Sequence, residues 1–453
     1  MQAVLPVEPQ TVAPLSSTAE RVRPWHLGTR IVFRFCAAYF TLYILTTQML
    51  YGLLVFLPVN MRSVDRLLPL GRATTWIATD VIGFSAPLVR LSGSGDKPYD
   101  VAQVVLISAL AAIVTAAWSL ADRRRAHYAG LQKWFRLFVR FGLGSTLVTY
   151  GAMKAIPTQM PYPILTRLLE PFGDFSLMGV LWSQIGASPA YETFTGIIEL
   201  TAGILLFIPG LTLLGALVSL LTTTEVFVLN MTYDVPVKLF SFHMLLMSIV
   251  LIAPDGKRLM DVLILNRSVD ASRERPIARR RAWRLAGNAA QLAVGVLLVW
   301  SNVSGVLRQS RFGPNAPNPP LYGIWNVERM TIDGTERAPL VTDYDRWRRV
   351  VVQRANAVSF QRMDSTFVNM GATVNTTTKT IALTRAAPST TNLAGDRTPS
   401  GSLTYEQPST EQMVFDGEMD GKRVRLELKY QDHRQFRLVQ NEFHWIQDYP
   451  INR

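Results

Sequence analysis

Ionisable side chains set inside long apolar runs are the residues of this 453-residue chain that could do chemistry. In YETFTGIIELTAGILLF, Glu192, Gly196, Glu199 and Gly203 repeat at +4, +3 and +4, so one helical face carries two carboxylates and two glycines. Glycines on such a stripe let a neighbouring helix approach closely, and the carboxylates then meet whatever that neighbour carries. A second apolar run holds Gly215, Ser219, Thr222 and Glu225, and a third ends in Tyr150, Gly151 and Lys154. A fourth, VLNMTYDVPVKLFSFHMLLMSIVLI at 228–252, is interrupted by Asn230, Asp234, Lys238 and His243. Each ionisable group turned toward lipid costs about 2.5–3.5 kcal/mol even on the lenient insertion scale. Glu192, Glu199, Glu225, Lys238 and His243 are therefore expected to face one another, with Lys154 and Lys238 supplying the counter-charges. The expectation is one polar cavity, with Gln159, Asn230 and Asp234 at its mouth. Such a cluster can bind a polar headgroup and carry protons. It can equally be an ion-pair network that fixes helix packing. Asn230 and Asp234 also suit plain turn and cap chemistry, because MTYDVP reads as a connection between spans and Pro236 fits the first turn of a helix.

The elements that must hold these groups are membrane helices. With 49% hydrophobic and 17% charged residues, the chain is more apolar than an ordinary soluble protein of its size. Seven runs approach the roughly 20 residues needed to cross about 30 Å of hydrocarbon: 31–58, 101–121, 136–153, 190–209, 211–230, 236–253 and 285–305. The third begins with Arg136 and Arg140, which blurs its start. A net charge of +13 could indicate nucleic acid, but its distribution argues otherwise. Basic residues gather in Arg21, Arg23, Arg30 and Arg34, in DRRRAHYAGLQKWFR (122–136) and in DGKRLMDVLILNRSVDASRERPIARRRAWR (255–284). Seven spans put all three clusters on one side, which by the positive-inside pattern is the cytoplasm. Trp25, Trp118, Trp134 and Trp283 then stand at that inner boundary as an interfacial belt. The basic runs read as orientation signals and contacts to lipid headgroups, not to nucleic acid. The polar first 30 residues lack a cleavable signal pattern and are expected to be a cytoplasmic tail before an uncleaved anchor.

Composition changes near residue 310. SRFGPNAPNPP (310–320) is a stiff polar linker within 306–320. Beyond it, from 321 to 453, come short alternating runs with DG and GK turns: YGIWNVERMTI, WRRVVVQR, AVSFQRM, TFVNMG, KTIALTR, GSLTYEQ, EQMVFDG, KRVRLELKY and QFRLVQNEFHW. Period-two alternation of β-formers predicts an antiparallel meander, and eight or nine strands in this length suit a small closed barrel. The fold class is thus a helical membrane bundle over 31–305 followed by an extracytoplasmic antiparallel β-barrel. Gly323-Ile324-Trp325, with Arg437 late in the chain, resembles the opening of lipocalin-type barrels, where a late arginine packs over the tryptophan at the closed end. Within 60–100, WIATDVIGFSAPLVRLSG is expected to be an outer-surface helix or a re-entrant segment, and the proline-broken stretch 155–189 to lie over the bundle. One cysteine, Cys36, excludes an intramolecular disulfide, and no Cys/His spacing matches a metal site.

The segment YGAMKAIPTQMPYP…RLLEPFGDFS…WSQIGASPAYETFTGIIELTAGILLF…LNMTYDVPVKLFSFHMLLMSIVLIAPD…LNR resembles DoxX-type bacterial membrane proteins over about 130–265. LYGIWNVE and FHWIQDYPINR are similar to tails of a branch that carries a C-terminal domain. The resemblance implies four-helix membrane subunits of the bacterial inner membrane, some tied to quinone-linked oxidation of sulfur compounds and to redox-stress complexes. A membrane redox accessory follows as an expectation. No defined catalytic motif of that family carries over to residues of this chain.

Three functions remain open from sequence. In a quinone-linked subunit, Glu199, Glu225, Lys238 and His243 would serve the headgroup just below the membrane surface. Of the five histidines, His26, His127, His243, His433 and His444, a single one lies in a span, so bis-histidine heme is excluded and the electron donor must be a partner or a quinol. The alternatives are a carrier or binder of a small molecule or lipid, and a scaffold that recruits an extracytoplasmic partner. The charge pattern makes one test immediate. A reporter that fluoresces only in the cytoplasm, fused after Arg453, should stay dark; a bright fusion would reverse the topology.

Overall fold

The computed structural model describes residues 24–57, 70–89, 92–269, 280–312, 316–386, 397–440 and 443–450. Arg21, Arg23, most of the polar tail and the run 270–279 of the third basic cluster lie outside the described residues. Among the described residues seven long helices form the first part: α1 Leu27–Thr46, α2 Pro98–Ala121, α3 Ala129–Ala155, α4 Pro189–Phe207, α5 Thr212–Thr232, α6 Lys238–Ile252 and α7 Arg281–Ser310. Six of them are long and apolar enough to cross a membrane; α6 counts together with its continuation to Leu263. The remaining helix, α3, is broken up by Lys133, Arg136, Arg140 and Lys154, yet it is the one most deeply enclosed by the others. Large side chains on the outer helices stay exposed, among them Ile113, Leu221, Val296 and Trp300, as a lipid-facing surface requires.

The core is a ring of α3, α4, α5 and α6, in which α3 packs most extensively on α4. The α1–α2 pair flanks it and α7 lies beside α3. Buried arginines fasten the ends of this ring. Arg140 donates to the Leu206 carbonyl at 2.9 and 2.8 Å, filling an acceptor that the last turn of α4 leaves open. Arg34, 2% exposed, donates to the Tyr128 hydroxyl, to Ser119 Oγ and to the Asp122 carbonyl. Arg30 reaches the Arg125 carbonyl and Arg136 faces Asp255 at 3.8 Å, so the described parts of all three basic clusters meet at one end of the bundle. Trp25 and Trp118 pack there on Tyr128, while Trp134 and Trp283 are exposed.

Local chemistry changed two expected elements. The first span does not run unbroken from 31 to 58: α1 ends at Thr46, Thr47 is extended and Gln48–Leu53 forms a separate turn of helix. Thr46 and Thr47 donate their hydroxyls back to the Leu42 and Tyr43 carbonyls, which competes with straight helix at that point. Between 155 and 189 the chain forms two short helices, Leu165–Leu169 and Leu177–Gly186, and the described part of 60–100 contains Gly71–Trp76, which runs into a wide turn at Ile77–Val81.

The second part is a closed antiparallel barrel of eight strands: β1 Gly323–Ile332, β3 Trp347–Arg354, β4 Ala357–Arg362, β5 Phe367–Asn375, β6 Thr380–Ala386, β7 Arg397–Ser409, β8 Gln412–Met419 and β9 Lys422–Gln431. Neighbours follow in chain order and β1 closes on β9, with Trp325 opposite Tyr430; the two-residue β2, Thr335–Glu336, merely extends β1. Asp333-Gly334 and Asp420-Gly421 both adopt positive φ, which is why DG marks these reversals. Inward residues such as Trp325, Trp347, Phe360, Met413 and Phe415 fill the interior, so the barrel is a packed core. Two details correct the lipocalin-like expectation. The described residues of QFRLVQNEFHW form no strand, and Arg437 sits exposed in the short helix Arg437–Gln440 beyond β9. Asp432 accepts the Arg434 amide and turns the chain out of the sheet, so the ring that meets Trp325 edge-on is Tyr430, 5.3 Å away.

The barrel's backbone ladder closes on itself, and residues 321–453 alone should give a sheet-type circular dichroism spectrum and a cooperative melt; a disordered spectrum would refute this. The acid limb is also set. Arg337 donates two hydrogen bonds to Asp343 and holds that carboxyl below the usual carboxylate range. A depressed folded value means its contribution is present above about pH 4 and lost as pH falls through the folded value. Asp343→Asn should therefore lower the melting temperature at neutral pH and flatten its decline in acid.

Candidate functional site

The site is built on the contact of α3 with α4. A Cβ on Gly196 would stand 2.2 Å from the Ala155 amide nitrogen, one on Gly151 2.5 Å from that of Leu200, and one on Gly203 2.7 Å from the Gly144 carbonyl. The two backbones thus touch along a line of glycines, as small-residue stripes permit between membrane helices. Gly196 lies between Glu192 and Glu199 on one face, and the α3 backbone pressed against it is that of Lys154 and Ala155. Lys154 is consequently brought to the stretch of α4 that carries both buried carboxyls. Its ammonium pairs with Glu199 Oε1. Glu192 is 0% exposed, and its Oε1 accepts the Met160 amide at 2.9 Å.

Lys154 and Glu199 open into a cavity of about 100 Å³ between α3, α4, α5 and α6, toward the end of the bundle opposite the basic clusters. Its polar lining includes Tyr150, Gln159, Thr222, Glu225, Asn230 and Ser241; its apolar lining includes Leu147, Trp182, Ile198, Phe240 and Met244. Asn230 donates to Ser241 Oγ at 3.0 Å, which ties α5 to α6 across the wall. Trp182 donates its ring N–H to the Gln159 carbonyl and so holds the loop after α3 over the cavity. Glu225 lines the opening and has no ion-pair partner among the described residues.

The structure thus gathers Lys154, Glu199, Glu225, Gln159 and Asn230 in one place, with Glu192 a layer behind them, bonded to Met160 of the wall. It does not bring Lys238, His243 or Asp234 there. At about 100° per residue, Lys238 and His243 point some 110° to either side of the direction set by Phe240, Ser241 and Met244. Lys238 instead bridges Asp234, whose side chain is 80% exposed, and faces Asp96 at 3.8 Å. His243 Nδ1 donates to the Leu239 carbonyl, Tyr39 O–H meets Nε2 at 2.6 Å, and the Tyr43 ring stacks on the imidazole at 4.0 Å. With Nδ1 committed to a carbonyl, Nε2 of the neutral ring is the acceptor for Tyr39. Between these groups and the Lys154 cavity stand Tyr150 and Phe240, which also wall a second cavity of about 320 Å³ lined by Gln48, Lys97, Asp100 and Gln103.

Several participants carried no sequence signal. Asp96 accepts the Lys238 and Leu239 amides at 2.8 and 2.9 Å and so caps α6, although it precedes that helix by 142 residues. Trp182, which holds the Gln159 carbonyl over the cavity, was likewise not marked by its sequence context. Nor did the sequence show what the barrel touches: Thr166 meets Gln353, Gln361 Nε2 donates to the Leu169 carbonyl, Tyr162 O–H donates to that of Leu438, and Leu165 packs on Ile324 and Val351. The barrel therefore rests on the same connection, 156–176, that supplies Gln159 and Met160 to the cavity.

These features define a multi-pass membrane protein with an eight-stranded barrel at one end. Part of the chain is similar to the uncharacterized protein YwoB of Bacillus subtilis (strain 168), with 27% identity over 139 residues, 31% of this chain and 86% of that protein. No family model matches the chain, and no solved structure matches it.

The glycine contact can be tested directly. Gly196→Val forces α3 and α4 apart and should prevent accumulation of folded protein, since overpacking a rigid contact costs about 1–3 kcal/mol or more. Gly130→Ala, on the same α3 but with nothing within 4 Å of the new Cβ, should be neutral or slightly stabilising. Equal melting temperatures for the two variants would show that the contact is not a constraint.

Proposed function

We propose that the Lys154–Glu199 cavity binds the headgroup of a membrane quinol or quinone, and that the protein is a redox accessory of the bacterial cytoplasmic membrane. The observation that carries this is a buried ammonium–carboxylate pair opening into a largely apolar space within a membrane bundle. A quinol offers hydroxyl donors at the end of an apolar body. Glu199 Oε2 and Gln159 Oε1, both buried and without a protein donor among the described residues, are acceptors of the matching kind. Lys154 supplies a donor for a carbonyl oxygen in the oxidised form. Trp182, Phe240 and Leu147 give the ring apolar surfaces. The resemblance to DoxX-type proteins points the same way.

The three basic clusters at one end support an orientation with the N-terminus in the cytoplasm and the barrel outside. The barrel interior is filled, so its role is to hold the 156–176 connection and to present a surface to an extracytoplasmic or membrane redox partner.

Solvent extracts of the purified full chain should contain quinone at near-stoichiometric amounts, falling at least tenfold in Glu199→Gln while the melting temperature changes little. Co-purifying lipid with no quinone would replace this with lipid binding. Full retention of quinone in Glu199→Gln would place it elsewhere.

A further inference from the structure

Glu192 has no assigned part in headgroup binding, yet it is the most deeply buried charge-bearing side chain of the cluster. Two carboxyls, Glu192 and Glu199, share one ammonium, Lys154, and all three are buried, at 0%, 5% and 8% exposure. Full ionisation would leave an uncompensated negative charge among apolar helices, which is the costly arrangement. The geometry says where the excess falls. Lys154 is committed to Glu199 Oε1, whereas Glu192 Oε1 holds only a backbone amide; the second oxygen of each carboxyl is buried with no protein partner among the described residues. Gln159 Oε1, on the residue before Met160, is another buried acceptor in the same condition.

We propose that Glu192 is held as the neutral acid and that Glu192, Lys154 and Glu199 form a proton-binding site in the cavity wall. One proton on Glu192 Oε2 makes the cluster neutral and turns an orphan acceptor into a donor. A metal cation would balance the charge too, but it would have to sit beside the Lys154 ammonium. No three His, Cys, Asp or Glu side chains gather to hold one among the described residues.

The surroundings add one further carboxyl, Glu225, and the amino end of α4, in whose first turn Glu192 stands. From α3 come Lys154 and Tyr150, from α5 Glu225, and from α4 itself Tyr191 and Glu199. The helix Leu177–Gly186 carries no ionisable side chain, and the connection before it faces the cluster with Gln159 and Met160, its Tyr162 being bonded to Leu438. Lys238 and His243 on α6 point elsewhere, and α7 meets α4 through Gly295 against Phe207, at the far end from Glu192.

This deepens the cavity reading above and rests on it for the site, not for the ligand, so it is tested with no quinone added. Infrared spectra of the purified full chain at pH 7 are compared in H2O and D2O, where exposed carboxyls, with values near 4, are ionised. The wild type should show one protonated-carboxyl C=O band that shifts in D2O. Charge counting then fixes the variants. The band should vanish in Glu192→Gln. It should vanish as well in Glu199→Gln, where Lys154 is free to pair with Glu192. Its area should double in Lys154→Met, which leaves two carboxyls and no cation. Absence of the band from the wild type overturns the proposal, with or without sodium in the buffer, and that result needs no variant to fold. A band that persists in Glu192→Gln overturns it equally. Loss of quinone binding with this band intact would sink the ligand assignment alone.

Discussion

The contact of α3 with α4 decides the rest of the membrane part. Gly144 and Gly151 on one helix meet Gly203 and Gly196 on the other closely enough that backbone lies on backbone. Nothing bulkier than hydrogen fits, so the axial register of the two helices is fixed. That register sets Lys154 level with Gly196 and hence at the stretch of α4 that carries Glu192 and Glu199. Without it, each carboxylate would meet lipid or an apolar neighbour, and the cost of burying it would stand unopposed. Arg140 on α3 closes the same contact at its other end by donating to the Leu206 carbonyl.

Polar chemistry is then divided between two compartments. Tyr150 and Phe240 stand between the Lys154 cavity and the larger one formed by the 92–100 segment and α2. On one side lie buried carboxyls with spare oxygens. On the other lie groups that satisfy one another: Asp96 caps α6, Lys97 pairs with Asp100, and His243 is held between a carbonyl and the Tyr39 hydroxyl. Satisfied networks of this kind stabilise a unique packing, whereas a buried oxygen without a partner is an exception that calls for a physical explanation.

The barrel takes part through its outer face. Ile324 and Val351 turn outward from β1 and β3 onto Leu165, while their sequence neighbours Trp325, Val350 and Val352 turn inward to the core. Period-two alternation would leave such outward positions polar on a barrel surrounded by water. Two apolar ones side by side mark where it is docked.

How much was legible follows from how each signal is written in the chain. Most spans and strand runs rest on local periodicity and hydropathy, which the sequence carries directly, although the break at Thr47 escaped it. Glu192, Gly196, Glu199 and Gly203 could be placed on one face because a helix fixes angle from spacing alone. Lys154 opposite them followed from the cost of buried charge. The same energetic reasoning misplaced Lys238 and His243, since it demands a partner without saying which. Lys238 pairs with Asp234, four residues before it, and more loosely with Asp96, while His243 meets Tyr39, 204 residues away in sequence. Arg437 was misplaced because Asp432 turned the chain out of the sheet, a local event that the preceding alternation concealed. The sequence by itself determined which groups are too costly to face lipid. Only the tertiary structure decided how they divide among neighbours, because helix rotation and register are set by side-chain and backbone contact between segments far apart in the chain.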